Sequence, residues 1–197
     1  MARHKLTWNW LKILTHLGAL SPLALLAWDF WQGNAALWIN PFQEVTFRTG
    51  KAALILLILS LTVTPLNTLF GWRQLIPLRK ILGLYAFFYV SLHFLIFIVD
   101  NGLFGDHIEL GPILAATFEK RFAFVGFAAF LILLPLAITS TKGWMKRLGR
   151  TWKRLHRLVY LAGGLAIIHY VWLVKSDYRE PLVYGFILGL LLLARVP

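Results

Sequence analysis

The sequence predicts an all-α integral membrane protein, a six-transmembrane-helix bundle with its N-terminus inside. Three observations predict it. The 197 residues are 59% hydrophobic with a mean hydropathy of +0.70, too apolar for a soluble domain of this length. Apolar runs of membrane-spanning length recur six times, roughly at 11–28, 52–70, 81–99, 122–137, 155–174 and 182–196. Nothing alternates with period two, so helices, which pair their own backbone groups in lipid, are favoured over a barrel.

Each run approaches the ~20 residues that cross a ~30 Å hydrocarbon core. The first follows Arg3-His4-Lys5 and resembles a signal peptide. It has no small-x-small cleavage site and continues into Trp28 and Trp31, so it is expected to stay as a first helix. The second follows FRTGKAAL, the third follows Arg79-Lys80 and the fifth follows Lys153-Arg154. The sixth is marginal in length, like the first, and almost no tail follows it before Pro197. The longest polar connections are 29–51 and 100–121 outside and 139–154 inside. No soluble domain, low-complexity segment or convincing internal repeat is visible, so 1–197 is expected to be one bundle.

Charge sets the orientation. Arg3, Lys5, Lys12, Arg73, Arg79, Lys80, Lys142, Lys146, Arg147, Arg150, Lys153, Arg154, Arg157 and Arg195 fall on the inner side, 14 of the 20 basic residues. All eight acids (Asp29, Glu44, Asp100, Asp106, Glu109, Glu119, Asp177 and Glu180) fall outside. This is the positive-inside pattern. The net charge of +12 therefore reflects topology and attraction to anionic lipid, not nucleic-acid binding. Trp8, Trp10, Trp72, Trp144 and Trp152 at inner ends, and Trp28, Trp31, Trp38 and Trp172 at outer ends, form the interfacial belts.

The chain has no cysteine, which excludes disulfides, iron–sulfur clusters and thioether-linked haem. No acid lies well inside any span; the ionisable groups at membrane depth are chiefly His16, His93, His156 and His169. His4 and His107 sit in polar flanks. Intramembrane ionisable residues mark functional sites by default, and imidazole is the commonest nitrogen ligand for metals. His93 lies ~20 Å above Lys80 and His169 ~22 Å above Arg154, on parallel helices and toward the outer leaflet. Two histidines at one depth can clamp a haem iron. Gly83, Gly163, Gly164 and Ala166 leave space for a flat macrocycle, or serve close helix packing.

His156 is different. It lies ~3 Å above the inner boundary, where the third helix offers only Ile81 and Leu82. It is also rotated about 220° from His169 on a regular helix. It can be a haem ligand with a non-histidine partner, a cofactor or quinone contact, or an interfacial base. His16, on the first helix, can bond a carbonyl or contact a cofactor. Arg48 and Lys51 flank the outer N-terminus of the second helix, where an anion such as a haem propionate is favoured. Lys120, Arg121 and Lys175 are further candidates, and any of these can instead be a snorkelling anchor. There is no Walker loop, no G-x-G-x-x-G after a strand and no H-E-x-x-H. The only methionines, Met1 and Met145, sit in polar flanks. A cofactor must carry any chemistry.

Several stretches carry a resemblance: ILTHLGALSP at 13–22, TGKAAL at 49–54, LRKILGLYAFFYVSLH at 78–93, LAITSTKGWMKRLGRTWKRLHRLVYLAGGLAIIHYVW at 136–172 and EPLVYGFILGLLLLA at 180–194. Together they cover nearly the whole chain. They resemble the MsrQ (YedZ) family, the haem-binding membrane subunits of bacterial MsrP–MsrQ systems, with a ferric-reductase-like transmembrane domain. The resemblance implies an electron-transfer subunit of the bacterial inner membrane, its N-terminus cytoplasmic, binding haem b and FMN. It implies electrons taken from the respiratory quinone pool. They would pass to a periplasmic MsrP-type molybdopterin reductase that reduces methionine sulfoxide in oxidised envelope proteins. His93, His156 and His169 fall on the family's histidines of helices 3 and 5. The chain departs from the wider ferric-reductase and NADPH-oxidase superfamily in lacking both a flavin–nicotinamide module and an inner histidine on helix 3. The residues alone do not place an FMN; Lys and Arg of 142–154 are a candidate for its phosphate. Two other functions fit the composition: a quinol-linked cytochrome b subunit of another periplasmic reductase, and a non-redox scaffold or transporter with structural histidines.

Overall fold

The computed structural model describes residues 2–104 and 107–195, with the side chains of 2–9 and 104 left aside. Met1, Asp106 and Pro197, named above, and the last residue of the run 182–196 lie outside the described residues. The chain is almost entirely helical: α1 (Ala2–Trp31), α2 (Ala35–Ile39), α3 (Pro41–Phe70), a 3-10 turn (Arg73–Leu75), α4 (Leu78–Gly102), α5 (Leu110–Glu119), α6 (Arg121–Ile138), α7 (Lys142–Leu148), α8 (Arg150–His156), α9 (Leu158–Leu173) and α10 (Arg179–Leu193). A two-residue pairing, β1 (Leu103–Phe104) with β2 (His107–Ile108), interrupts this between α4 and α5. The helices form two compact units, Met1–Ile96 and Phe97–Pro197.

Unit 1 is built around α3. Half of its apolar window is buried, against 6% for the span of α1 and 11% for that of α4, so α3 is the central helix and the others flank it. Its buried residues, Ala52, Ala53, Leu56, Leu57, Ser60 and Leu61 among them, cover most of its surface and leave Ile55 and Leu59 exposed on the remaining side, as expected of a helix flanked on several sides. In lipid the packing itself, not water exclusion, holds helices together, and small side chains permit it. Pro41 opens α3, where its missing N–H costs nothing, and Gly71, at φ 68°, closes it in a left-handed turn. The Ser60 hydroxyl donates to the Arg79 carbonyl at 2.8 Å and the Tyr89 hydroxyl to the Ala19 carbonyl at 2.8 Å. Tyr89 is fully buried. These bonds run α4 antiparallel to α3 and parallel to α1.

Unit 2 pairs α6 with α9 antiparallel, the start of α6 beside the end of α9 and the end of α6 beside α8. α10 packs antiparallel on α9. Leu188 lies 3.3 Å from where a Cβ on Gly163 would stand, and Ile167 stands 3.2 Å from the corresponding point on Gly185. The Tyr170 hydroxyl donates to the Glu180 carboxylate at 2.6 Å.

Among the described residues four stretches are long and apolar enough to cross a membrane: Trp10–Trp31, Pro41–Phe70, Arg73–Gly102 and Arg121–Ile138. They match the first four predicted runs. α9 and α10, with 16 and 15 residues, fall short of that length as separate helices; α9 is joined to α8 by a turn at Arg157 that keeps helical dihedrals. The connections are more ordered than composition suggests. Residues 41–51 are helix, held by the i,i+4 pair of Glu44 with Arg48, and 100–121 contain the apolar α5.

Candidate functional site

Each unit holds one imidazole in the same way. In unit 1, His93 on α4 reaches α3, and its Nδ1 lies 2.9 Å from the carbonyl oxygen of Thr46. In unit 2, His169 on α9 reaches α6, and its Nδ1 lies 2.7 Å from the carbonyl oxygen of Phe122. A carbonyl only accepts, so both Nδ1 atoms carry the proton, and in the neutral ring Nε2 carries the lone pair. That is the tautomer in which histidine binds a metal through Nε2 with its other nitrogen anchored to a carbonyl.

A glycine one turn beyond each carbonyl makes room for the ring. A Cβ on Gly50 would stand 2.9 Å from His93 Nδ1 and 3.0 Å from Cε1. A Cβ on Gly126 would stand 2.6 Å from His169 Nδ1 and 2.9 Å from Cε1. Side-chain carbons do not approach so closely, so glycine lets the imidazole approach the helix at this distance. Both contacts span 47 residues of chain. They are offset by 76 residues (46 to 122, 50 to 126, 93 to 169), and the surrounding sequences share the pattern Gly-x-Ala-Ala at 50–53 and 126–129. The buried Ala86 and Ala162 obey the same offset. The chain thus contains an internal repeat of a helix pair bearing one histidine, which reading the sequence for periodicity missed. The signal was there: each histidine lies 43 residues after its Gly-x-Ala-Ala glycine (50 to 93, 126 to 169).

The other predicted residues fall into different settings. The His156 ring stacks on Trp152 with centroids 4.0 Å apart. The Thr139 hydroxyl donates to the Pro135 carbonyl at 2.6 Å and so accepts from His156 Nε2 at 3.1 Å. Trp152 Nε1 donates to the Thr139 carbonyl at 2.9 Å. His156 is therefore held through the nitrogen opposite to the one that anchors His93 and His169, and it ties α8 to the end of α6. His16 is exposed on α1, its Nδ1 2.9 Å from the Tyr85 hydroxyl. Arg48 is engaged by Asp29 and, at 2.7 Å, by Glu44. Lys51 lies over the Phe47 ring, 5.7 Å from its centroid. Gly83 faces Ser60 and Gly163 faces Leu188, so these two serve helix packing. In unit 2 an open hollow of about 390 Å³ is lined by Arg121, Phe122, Val171, Trp172, Val174 and Tyr178, beside the His169 anchor. Among the described residues no three His, Cys, Asp or Glu side chains group as a metal site. A metal held by a macrocycle needs only axial donors from the protein.

Helices that each present an anchored imidazole, with no other grouped ligand set among the described residues, are the arrangement that a haem-bearing transmembrane component needs. The model of the ferric reductase like transmembrane component family matches residues 49–179, which include both histidines and both glycines. Relatives narrow the class. A Xanthomonas axonopodis pv. citri protein named protein-methionine-sulfoxide reductase heme-binding subunit MsrQ is 47% identical over 193 residues, covering 94% of this chain and 85% of that protein. A Deinococcus radiodurans protein of the same name is 45% identical over 197 residues, covering 100% of this chain and 94% of its own length. The chain belongs to the ferric-reductase-like transmembrane family and, within it, to the MsrQ proteins. No solved structure matches it.

Proposed function

We propose that the chain is the haem-binding, electron-transferring membrane subunit of a methionine-sulfoxide reductase, with His93 and His169 as the axial ligands of a haem b. One observation carries the reading: the same Nδ1-to-carbonyl anchor over a glycine occurs at both histidines. The donor set fits the group, since two neutral imidazoles with the lone pair on Nε2 suit a low-spin haem iron. The haem supplies one-electron transfer when bound. The chain's own residues do the positioning. The carbonyls of Thr46 and Phe122 fix each tautomer and raise the basicity of Nε2, and Gly50 and Gly126 set the ring planes.

For the propionates, Lys51 and Arg121 are candidates, while the charge of Arg48 is met by Asp29 and Glu44. His156 acts as a positioning residue at the end of α6. The electron donor is the quinone pool of the bacterial inner membrane, directly or through FMN drawn to the basic 142–154 segment. The acceptor is a periplasmic MsrP-type molybdopterin reductase on the side opposite the cytoplasmic N-terminus. The relatives' names and the basic inner segments support this arrangement.

The test is spectroscopic. The protein purified after haem-replete expression should show a Soret band and a low-spin ferric signal. His93→Ala and His169→Ala should each abolish that signal, while His156→Ala changes it less. Absence of a Soret band from the unsubstituted chain would overturn the proposal.

A further inference from the structure

We propose that His16 and Tyr85 form a binding site for the ring of a lipid-soluble quinone, entered from the hydrocarbon side of unit 1. The proposal rests on the quinone-pool reading above and gives it a place. His16 lies on α1 six residues beyond Trp10, where the apolar span begins, about 9 Å into the hydrocarbon. Tyr85 is seven residues into α4, about 10 Å from its start on the same side. The two meet at 2.9 Å between His16 Nδ1 and the Tyr85 hydroxyl, with rings edge to face at 5.6 Å.

What needs explaining is exposure. His16 is exposed and Tyr85 half-buried, amid exposed Ile13, Leu20, Leu84 and Phe88 at helical spacing. Polar atoms facing hydrocarbon are costly, and a lone helix-to-helix hydrogen bond is normally turned inward. Docking of α1 on α4 does not require this pair, because the fully buried Tyr89, one turn further along α4, already bonds the Ala19 carbonyl.

The chemistry of the pair selects the ligand. If the tyrosine O–H donates to Nδ1, then Nε2–H remains to donate and the phenol oxygen to accept. If Nδ1–H donates to the phenol oxygen, then the tyrosine O–H remains to donate and Nε2 to accept. Either way the pair offers one donor and one acceptor; the roles exchange when the tyrosine proton passes to Nδ1, Nε2 releases its proton and the phenol oxygen takes one up. A quinone carbonyl needs the donor, and a quinol hydroxyl uses the acceptor. At this depth a charged headgroup does not reach the pair, whereas a neutral ring with an isoprenoid tail does. Phe88 and the leucines supply the apolar wall.

The test uses the full-length haem-loaded protein in lipid nanodiscs, titrated with decyl-ubiquinone and followed by quenching of tryptophan fluorescence. Tyr85→Phe and His16→Leu should each weaken binding about tenfold, the loss of one hydrogen bond, with an unchanged Soret spectrum. His16→Gln, which keeps a donor and an acceptor, should restore most of the affinity. Tyr89→Phe should lower thermal stability and leave quinone affinity alone. Wild-type affinity in both Tyr85→Phe and His16→Leu overturns the site while leaving the haem reading intact. So does a shifted Soret band in His16→Leu, which would place His16 against the haem. A haem-loaded wild type that binds no quinone overturns both this site and the quinone donor.

Discussion

At the scale of single residues, the decisive atoms are the single hydrogens that Gly50 and Gly126 each carry in place of a side chain. The imidazole of His169 lies so close to the α6 backbone that a methyl on Gly126 would come within 2.6 Å of Nδ1. On Gly50 the same methyl meets His93 at 2.9 Å. Gly164 on α9 has nothing within 4 Å of its missing Cβ. Haem content should follow that order. Gly126→Ala should lose most haem per polypeptide, Gly50→Ala an intermediate share and Gly164→Ala none. Pyridine haemochrome assay of the purified variants measures this; equal haem in Gly126→Ala and Gly164→Ala would show that ring placement does not matter. The histidines were legible from sequence because an ionisable side chain in an apolar run has few reasons to be there. Their glycines were not. A glycine on another helix becomes part of the site only through a contact made in three dimensions, and in a membrane segment it is read first as packing. Gly83 and Gly163 are packing residues, while Gly50 sat unremarked in a polar-looking flank.

At the scale of elements, hydropathy located the first four spans and missed what the backbone does beyond them. α3 begins at Pro41, well before the apolar run at 52, because Glu44 and Arg48 pair along one helix face. The inner end of unit 2 is a similar case. α6 ends at Thr139, whose back-bonded hydroxyl and carbonyl receive His156 and Trp152 from α8. Sequence left His156 open between ligand and interfacial base, since depth and rotation say where a ring is and not which nitrogen is occupied. The structure supports a fastening between elements. Thr139→Val, nearly isosteric, would remove the acceptor of the half-buried His156 N–H. This should cost about 1–3 kcal/mol, read as a lower unfolding temperature in detergent. Its haem-to-protein ratio should match the unsubstituted chain, as should that of Trp152→Phe. A Thr139→Val protein of normal stability but depleted of haem would instead make His156 a ligand held by Thr139.

At the scale of the whole molecule, the crossing number decides where each charge cluster lies. The first four spans are long enough on their own. The fifth and sixth depend on α9 and α10, at 16 and 15 residues spanning only about 24 and 22 Å as straight helices. The charges favour crossing. Lys153, Arg154 and Arg157 precede α9, Asp177 and Glu180 stand between α9 and α10, and Arg195 follows, so each crossing moves from the basic to the acidic side or back. Continuation of α9 into α8 through the helical Arg157 adds the length α9 lacks. The absence of cysteine makes this directly measurable with single-cysteine variants and a membrane-impermeant maleimide. Gln32→Cys and Asp177→Cys should label in intact spheroplasts, whereas Gly143→Cys and Ala194→Cys should label only after permeabilisation. Labelling of Ala194→Cys from outside would mean that α10 returns to its own side and that the bundle has five crossings. The positive-inside charge pattern would then fail at Arg195, its last basic residue.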